Sequence, residues 1–274
     1  TTYGSRCPVK MSGGSIAAES TDSTAYGIYS YLNATGGSIS AKGQNAYGVE
    51  LVWNNGMNLS GNTSISAEST STDSRAKAAA IIGQGFPTIS DNVTLTATSK
   101  NGGAYGIELG TWGALAVNGG TINATSTDGV GYGIYTRSSG YGDGNIINGG
   151  TIYGSTYGAY TADGGTMRIG TDDGTTPSIT SPDITGGSYG IAGNYFTFYD
   201  GILKGEIFAY EEGKIRSIAN NCTMFIGNTT VDGVTYDTRY LVPEYDVAKI
   251  GDIKYKSLAS AINAAESGDL IELI

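Results

Sequence analysis

The residue types on which most enzyme chemistry rests are scarce in this chain of 274 residues. Histidine is absent, which removes Ser-His-Asp and Cys-His nucleophilic catalysis and the commonest transition-metal ligand. The two cysteines, Cys7 and Cys222, stand 215 positions apart and make neither a metal-binding nor a redox spacing. Asp172 and Asp173 lie near Arg168, but Asp-Asp-Gly ahead of Thr-Thr-Pro is first of all a turn signal, because Asp and Gly supply side-chain hydrogen bonds and positive φ. Two similar stretches are more suggestive: Tyr47–Trp53 (YGVELVW) and Tyr105–Trp112 (YGIELGTW) hold the two tryptophans of the chain, each with a glutamate three places after the tyrosine. Flat aromatics beside carboxylates can stack on sugars and accept their hydroxyls. Trp53, Trp112, Glu50 and Glu108 are therefore the candidate ligand-binding residues. The plainer alternative is that each Trp covers the apolar end of its own turn, since Trp is usually largely buried. No catalytic residue, metal site or cofactor is expected.

The elements that must position these residues follow from composition. Gly, Thr and Ser number 44, 32 and 27, and charged residues make up 15%, against roughly 25% in an average globular chain. Gly and β-branched Thr at this density disfavour helices. Hydrophobic residues at 39% and 20 tyrosines exceed what a disordered chain carries. A net charge of −10 repels phosphate backbones, so nucleic acid is not an expected partner. No run approaches the ~18 apolar residues of a membrane span, so no membrane insertion is expected. An all-β chain with many tight turns remains.

Its organising feature is an internal repeat. One half reads Gly-Gly-Ser/Thr-Ile-x-Ala, as in Gly13–Ala18 (GGSIAA), Gly36–Ala41 (GGSISA) and Gly119–Ala124 (GGTINA); the other reads Tyr-Gly-Ile, at Tyr26, Tyr47, Tyr105, Tyr132, Tyr157 and Tyr189. A degenerate copy is expected at Lys77–Ala79, so the repeat starts step by 21, 30, 28, 27, 25 and 32 residues. That period suits one coil of a parallel β-solenoid, and is too short for a propeller blade of ~40–45 residues. Period-two alternation sets Ile16, Ile39, Ile65, Leu95, Ile122 and Ile152 in one core column, and Ile28, Val49, Ile107, Ile134 and Ile191 in another. The expected fold is an all-β right-handed parallel β-helix of about seven or more coils. Strict alternation turns Tyr26 inward, whereas Lys77 in the same column points outward, and a Gly corner between the strands permits either. Two coils at ~4.8 Å each put Glu50 and Glu108 about 9.6 Å apart, at the upper edge of the ~6.5–9.5 Å of an inverting glycosidase. Tyr29, Tyr135, Tyr160 and Ala192 share that column, as in an ordinary solvent face. Seven stacked coils separate Cys7 from Cys222 by about 34 Å, beyond the ~7 Å that a disulfide spans.

Residues 1–192 are assigned to the solenoid repeats and 193–240 to further coils and a hairpin cap, with a turn at Val231–Val234. Residues 241–249 read as a linker. Within 250–274 a short strand over Ile250–Tyr255, a helix over Leu258–Ala265 capped by Ser257, and a strand from Leu270 begin a second module cut short at residue 274.

The stretch Tyr255–Leu273 (YKSLASAINAAESGDLIEL) resembles the helix-Gly-Asp-strand opening of pectate-lyase-like right-handed β-helices. Met167–Gly174 (MRIGTDDG) and Phe198–Gly205 (FYDGILKG) are similar to segments of repeat-rich surface proteins of Gram-positive gut-type bacteria, and the repeat itself resembles those of adhesin and autotransporter passengers. The resemblance implies an extracellular, cell-surface β-helix of adhesin type, attached to the wall through other parts of its chain. Its partners would be a host or microbial glycan or surface protein. It implies no catalysis. The alternative is the non-catalytic part of a carbohydrate-active β-helix protein of the polysaccharide lyase or glycoside hydrolase class.

Overall fold

The computed structural model describes residues 1–137, 144–173, 176–209, 215, 217–256 and 258–274, without the side chains of residues 53–55, 163, 208–209 and 217. The chain winds into a parallel β-solenoid of about seven turns. Each turn contributes to three ladders in a fixed order. The first is the Tyr ladder, with Tyr3, Tyr26, Tyr47, Ala79, Tyr105, Tyr132, Tyr157 and Tyr189 in successive register. The second aligns Leu59, Ile89, Val117, Ile147, Ile169 and Phe198. The third carries Ile16, Ile39, Ile65, Leu95, Ile122, Ile152, Ile184 and Leu203. Between the second and third ladders the chain turns a corner at the second Gly of the Gly-Gly pair, where Gly14, Gly37, Gly120 and Gly150 hold φ between 78° and 97°. An L side chain rarely adopts that region.

The three ladders enclose one apolar core. Ile28, Val49, Ile81, Ile107, Ile134 and Ile191 from the Tyr ladder are fully buried against the isoleucines of the third and the mixed aliphatics of the second. Where the third ladder turns back to the first, a separate column of small residues, including Ala41, Ala46, Ala67, Ala78, Ala97 and Ala104, lets the two strands approach closely. The irregular spacing of the repeat arises partly at this corner, since Ala18 and Ala25 are seven residues apart while Ala67 and Ala78 are eleven apart, and partly between the Tyr and third ladders, where Ala25 and Ala41 are 16 apart but Ala46 and Ala67 are 21 apart.

Three expectations change. The degenerate copy is Ala79-Ala80-Ile81, not Lys77-Ala78-Ala79: Tyr47 pairs with Ala79 and Val49 with Ile81. The turn before it is two residues longer than the matching Ala-Glu-Ser-Thr stretches suggest, and the register that buries Ile81 prevails over the one that would bury Ala79 in its place. The column between Glu50 and Glu108 consequently holds Ile82. The repeat also begins one copy earlier, at Tyr3-Gly4, which pairs with Tyr26 and its neighbours. Finally, the orientation of the tyrosines is settled. Ala25, Gly27 and Ile28 are all buried while Tyr26 and Tyr29 are partly exposed, so alternation breaks at the glycine and the rings stand on the outer surface.

Beyond Phe198 the solenoid closes with a hairpin. Cys222–Val231 and Val234–Pro243 pair antiparallel around Asp232-Gly233, and the second of them lies along Ile202–Lys204 of the last coil. Cys7 and Cys222 are both free. Ala248–Ile250, Ile253–Tyr255 and Ile271–Leu273 form a small antiparallel sheet with the helix Leu258–Ala264. Ser257, the expected cap of that helix, lies outside the described residues. Among the described residues no helix is long and apolar enough to cross a membrane.

Candidate functional site

The Tyr ladder concentrates the distinctive chemistry of the surface. Tyr3 and Tyr26 stack with ring centroids 5.0 Å apart and planes 9° from parallel. The stack resumes through Tyr105, Tyr132, Tyr157 and Tyr189 at 5.1, 4.9 and 5.2 Å, with interplanar angles of 9°, 9° and 11°. Parallel strands one hydrogen bond apart place equivalent side chains ~4.8 Å apart, so a tyrosine retained at one position stacks on its own copy. A second column three residues on adds Tyr135 and Tyr160, stacked at 5.3 Å, and both meet Tyr132 edge-on. Each ring shields its neighbours from water. That burial first, and the neighbouring groups second, raise the phenols of Tyr26 and Tyr105 to about 12 and move Tyr47 and Tyr132 in the same direction. These four therefore supply hydroxyls, not phenolates, well above neutral pH.

The ladder is interrupted once, at Ala79. The next ring below, Tyr47, leans out of parallel with Tyr26 by 43°. Lys77 fills the other side of the gap: its ammonium lies 5.0 Å from the centre of the Tyr105 ring and 2.7 Å from Glu108 Oε1. Together they leave Ala79 fully buried. Glu50 and Glu108 flank this break in one column, with Ile82 between them. Burial lifts the Glu50 carboxyl above the usual carboxylate range. Glu108 is tied to Lys77 through Oε1, while its enclosed Oε2 has no hydrogen-bond partner among the described residues. The geometry thus keeps the two-turn separation expected of this pair but commits one of its members to an ion pair.

Trp112 follows the strand Gly103–Leu109 in a turn and is 50% exposed, so it does not lie under its loop. Trp53 lies on the strand Asn45–Ser69, and its side chain is outside the described residues. Asp172 and Asp173 are exposed in the turn after Ile169; Asp200 holds that turn by accepting from the Thr171 and Ser178 amides at 3.0 and 2.7 Å. The residues that sequence reasoning passed over are the tyrosines. Their repetition was plain, but their outward orientation depended on a break in alternation at Gly that period-two patterning does not reveal.

Comparison with known proteins adds nothing to this picture, as no family model, curated protein or solved structure matches the chain.

Proposed function

We propose that this chain is an extracellular segment of a bacterial surface protein, a β-helix stalk or adhesin without catalysis of its own. The observation that supports it is the continuity of the stack. Seven turns repeat one strand plan, and the most conspicuous surface feature is an ordered row of neutral hydroxyls. Such a body suits display and contact. The test is to raise antibodies to residues 1–192 and label intact and permeabilised cells of the source, and to coat beads with the protein and measure their retention on glycan- and protein-bearing surfaces. Labelling confined to permeabilised cells, or beads retained no better than uncoated ones, would end this reading.

A second reading has one observation in its favour. Trp112 is half exposed, four residues after Glu108, as in a sugar-contacting edge of a carbohydrate-active protein. On that reading Trp53, Trp112, Glu50 and Glu108 bind glycan for chemistry performed elsewhere. Loss of glycan binding in Trp112→Ala, with the Tyr ladder intact, would favour it over the first.

A further inference from the structure

We infer that the outer face of the Tyr ladder, over the uninterrupted run Tyr105, Tyr132, Tyr157 and Tyr189, is a binding track for an extended, uncharged, β-1,4-linked polysaccharide lying along the solenoid axis, one sugar to each turn. The inference rests on the adhesive reading above and names its ligand class.

The spacing comes first. The ring centroids along this run are 4.9–5.2 Å apart. One sugar of an extended β-1,4-linked chain advances by about the same length as one turn of a parallel solenoid. A ligand lying along the axis therefore meets an equivalent phenol at every residue without drifting out of register. A coiled α-1,4-linked chain cannot do so.

The chemistry of the face agrees. Because the rings stack on one another, their π-faces are spent internally and their edges line the face; the Tyr105 ring lies back over Gly103, where a β-carbon would stand 2.9 Å from its hydroxyl. Among the described residues, no protein group bonds the phenol oxygens of Tyr105, Tyr132 and Tyr157, whereas Tyr135 accepts from Arg137 Nε at 3.0 Å. These phenols are protonated at neutral pH, and desolvation raises them further, so each can both donate and accept, as a sugar hydroxyl requires. The run has few charges. Glu108 is paired with Lys77 at one end, Glu206 follows Tyr189 at the other, and Arg137 leans on Tyr135 at the side. In a chain of net charge −10, that selects a neutral glycan over a polyuronate or a phosphorylated one.

The dimensions disfavour a second copy of the chain as occupant. Seven spacings of ~4.8 Å by a five-residue strand at ~3.3 Å per residue make a face of about 34 by 16 Å. The resulting ~550 Å² falls short of the ~800 Å² per partner of a standard protein interface. A single glycan strand needs only a narrow track.

The test uses the whole chain and isothermal titration with cello-, manno- and chito-oligosaccharides of one to six sugars, with maltotetraose as the coiled control. Affinity for at least one β-1,4 series should rise with each sugar up to four and then level off, and maltotetraose should bind at least tenfold more weakly than the tetrasaccharide of that series. Tyr132→Ala should lower affinity for the tetrasaccharide at least tenfold, and Tyr132→Phe should fall between it and the parent. Ala79→Tyr, which joins the two stacks, should carry the gain in affinity beyond four sugars. Circular dichroism confirms that each variant retains its β-structure. Absence of binding by any β-1,4 series, binding that does not depend on length, equal binding of maltotetraose, or full affinity in Tyr132→Ala would each overturn the inference. Beads coated with Tyr132→Ala distinguish the two readings: if they adhere as the parent does, adhesion stands and the track falls. If neither adheres, the adhesive reading itself fails.

Discussion

Leu95 can be exchanged for isoleucine as a sharp test of how the turns pack. In six turns the glycine after the ladder tyrosine faces an isoleucine of the third ladder so closely that a β-carbon there would lie 2.3–2.7 Å from the Ile γ2 methyl; these are Gly4, Gly27, Gly48, Gly106, Gly133 and Gly158. Carbon atoms in contact normally sit ~3.5–4.0 Å apart, so the deficit is about 1 Å. The broken turn evades it with a matched pair. Ala80 replaces the glycine, and Leu95, which has no γ2 methyl, replaces the isoleucine. The last coil follows the same logic: Leu203 stands in the isoleucine column, and the three atoms nearest a β-carbon on Gly190 would belong to the Lys204 backbone, the closest at 2.9 Å, with no Leu203 methyl among them. Leu95→Ile should therefore cost about 2–3 kcal/mol, the upper part of the overpacking range, although such swaps usually cost under ~1.5 kcal/mol. Ala80→Gly alone should cost about 1 kcal/mol, mainly through chain entropy. The double variant restores the pairing of the other turns and should cost no more than about 1 kcal/mol, leaving a coupling near 2 kcal/mol. Urea unfolding measures the cycle, with hydrogen exchange at residues 78–82 and 94–98 as a local readout, because solenoids can unfold turn by turn. Leu203→Ile is the control that should be mild. If Leu95→Ile costs no more than Leu203→Ile, or if the two changes add within ~0.5 kcal/mol, the close-contact account is wrong.

Other consequences can be measured directly. Ala79→Tyr should stabilise the protein by about 1 kcal/mol, because two new stacked contacts worth ~0.5–1.5 kcal/mol each outweigh the ~0.5–1 kcal/mol lost when Lys77 leaves the Tyr105 ring; an unchanged unfolding midpoint would mean that the tilt of Tyr47 has another origin. Ile134→Ala, at a fully buried site, should cost about 2–5 kcal/mol in the same assay. Glu50 has its carboxyl raised by burial, so the stability it permits is complete below the ordinary glutamate pKa and is lost as pH rises through the raised value; Glu50→Gln should flatten that slope and be the more stable form at pH 7. The raised phenols give the same sign at higher pH. Stability should hold to about pH 10 and fall as pH passes about 12, the value for Tyr26 and Tyr105, with phenolate absorbance rising over the same interval.

Much of the solenoid was legible because its instructions are written repeatedly. Ile28, Val49, Ile107, Ile134 and Ile191 were assigned to the core from one column, and all are fully buried. The third ladder was equally plain, since Ile39, Ile122 and Ile152 recur at a fixed distance from a Gly-Gly corner. The second ladder was not recognised as a separate face: Leu59, Ile89, Val117, Ile147 and Phe198 share burial but no sequence, and aliphatic packing accepts any of them. The register of the broken turn was misplaced because turn length is free to vary at the alanine corner, where only small side chains and backbone closure matter. Of the candidate binding residues, the repeat located Glu50 and Glu108 two turns apart, but the Lys77–Glu108 ion pair depends on an inserted turn whose length spacing alone does not give.

The broken turn separates two roles that the repeat otherwise fuses. Its interior is compensated, since Ala80 and Leu95 change together and both remain fully buried. Its exterior is not, since the ring is missing and Tyr47 tilts toward the gap. If stacking served only to hold the turns together, a tyrosine at position 79 would be the simplest solution, because the strand there is already in register with both neighbours. Instead, the surface begins again. Lys77 lies 5.0 Å over Tyr105, the first ring after the gap, as Arg6 lies 5.0 Å over the ring of Tyr3. The interruption therefore separates Tyr3, Tyr26 and the tilted Tyr47 from the stack of four that begins at Tyr105. On the inferred glycan track, it is this division that sets the expected levelling of affinity at four sugars and its extension when position 79 is filled.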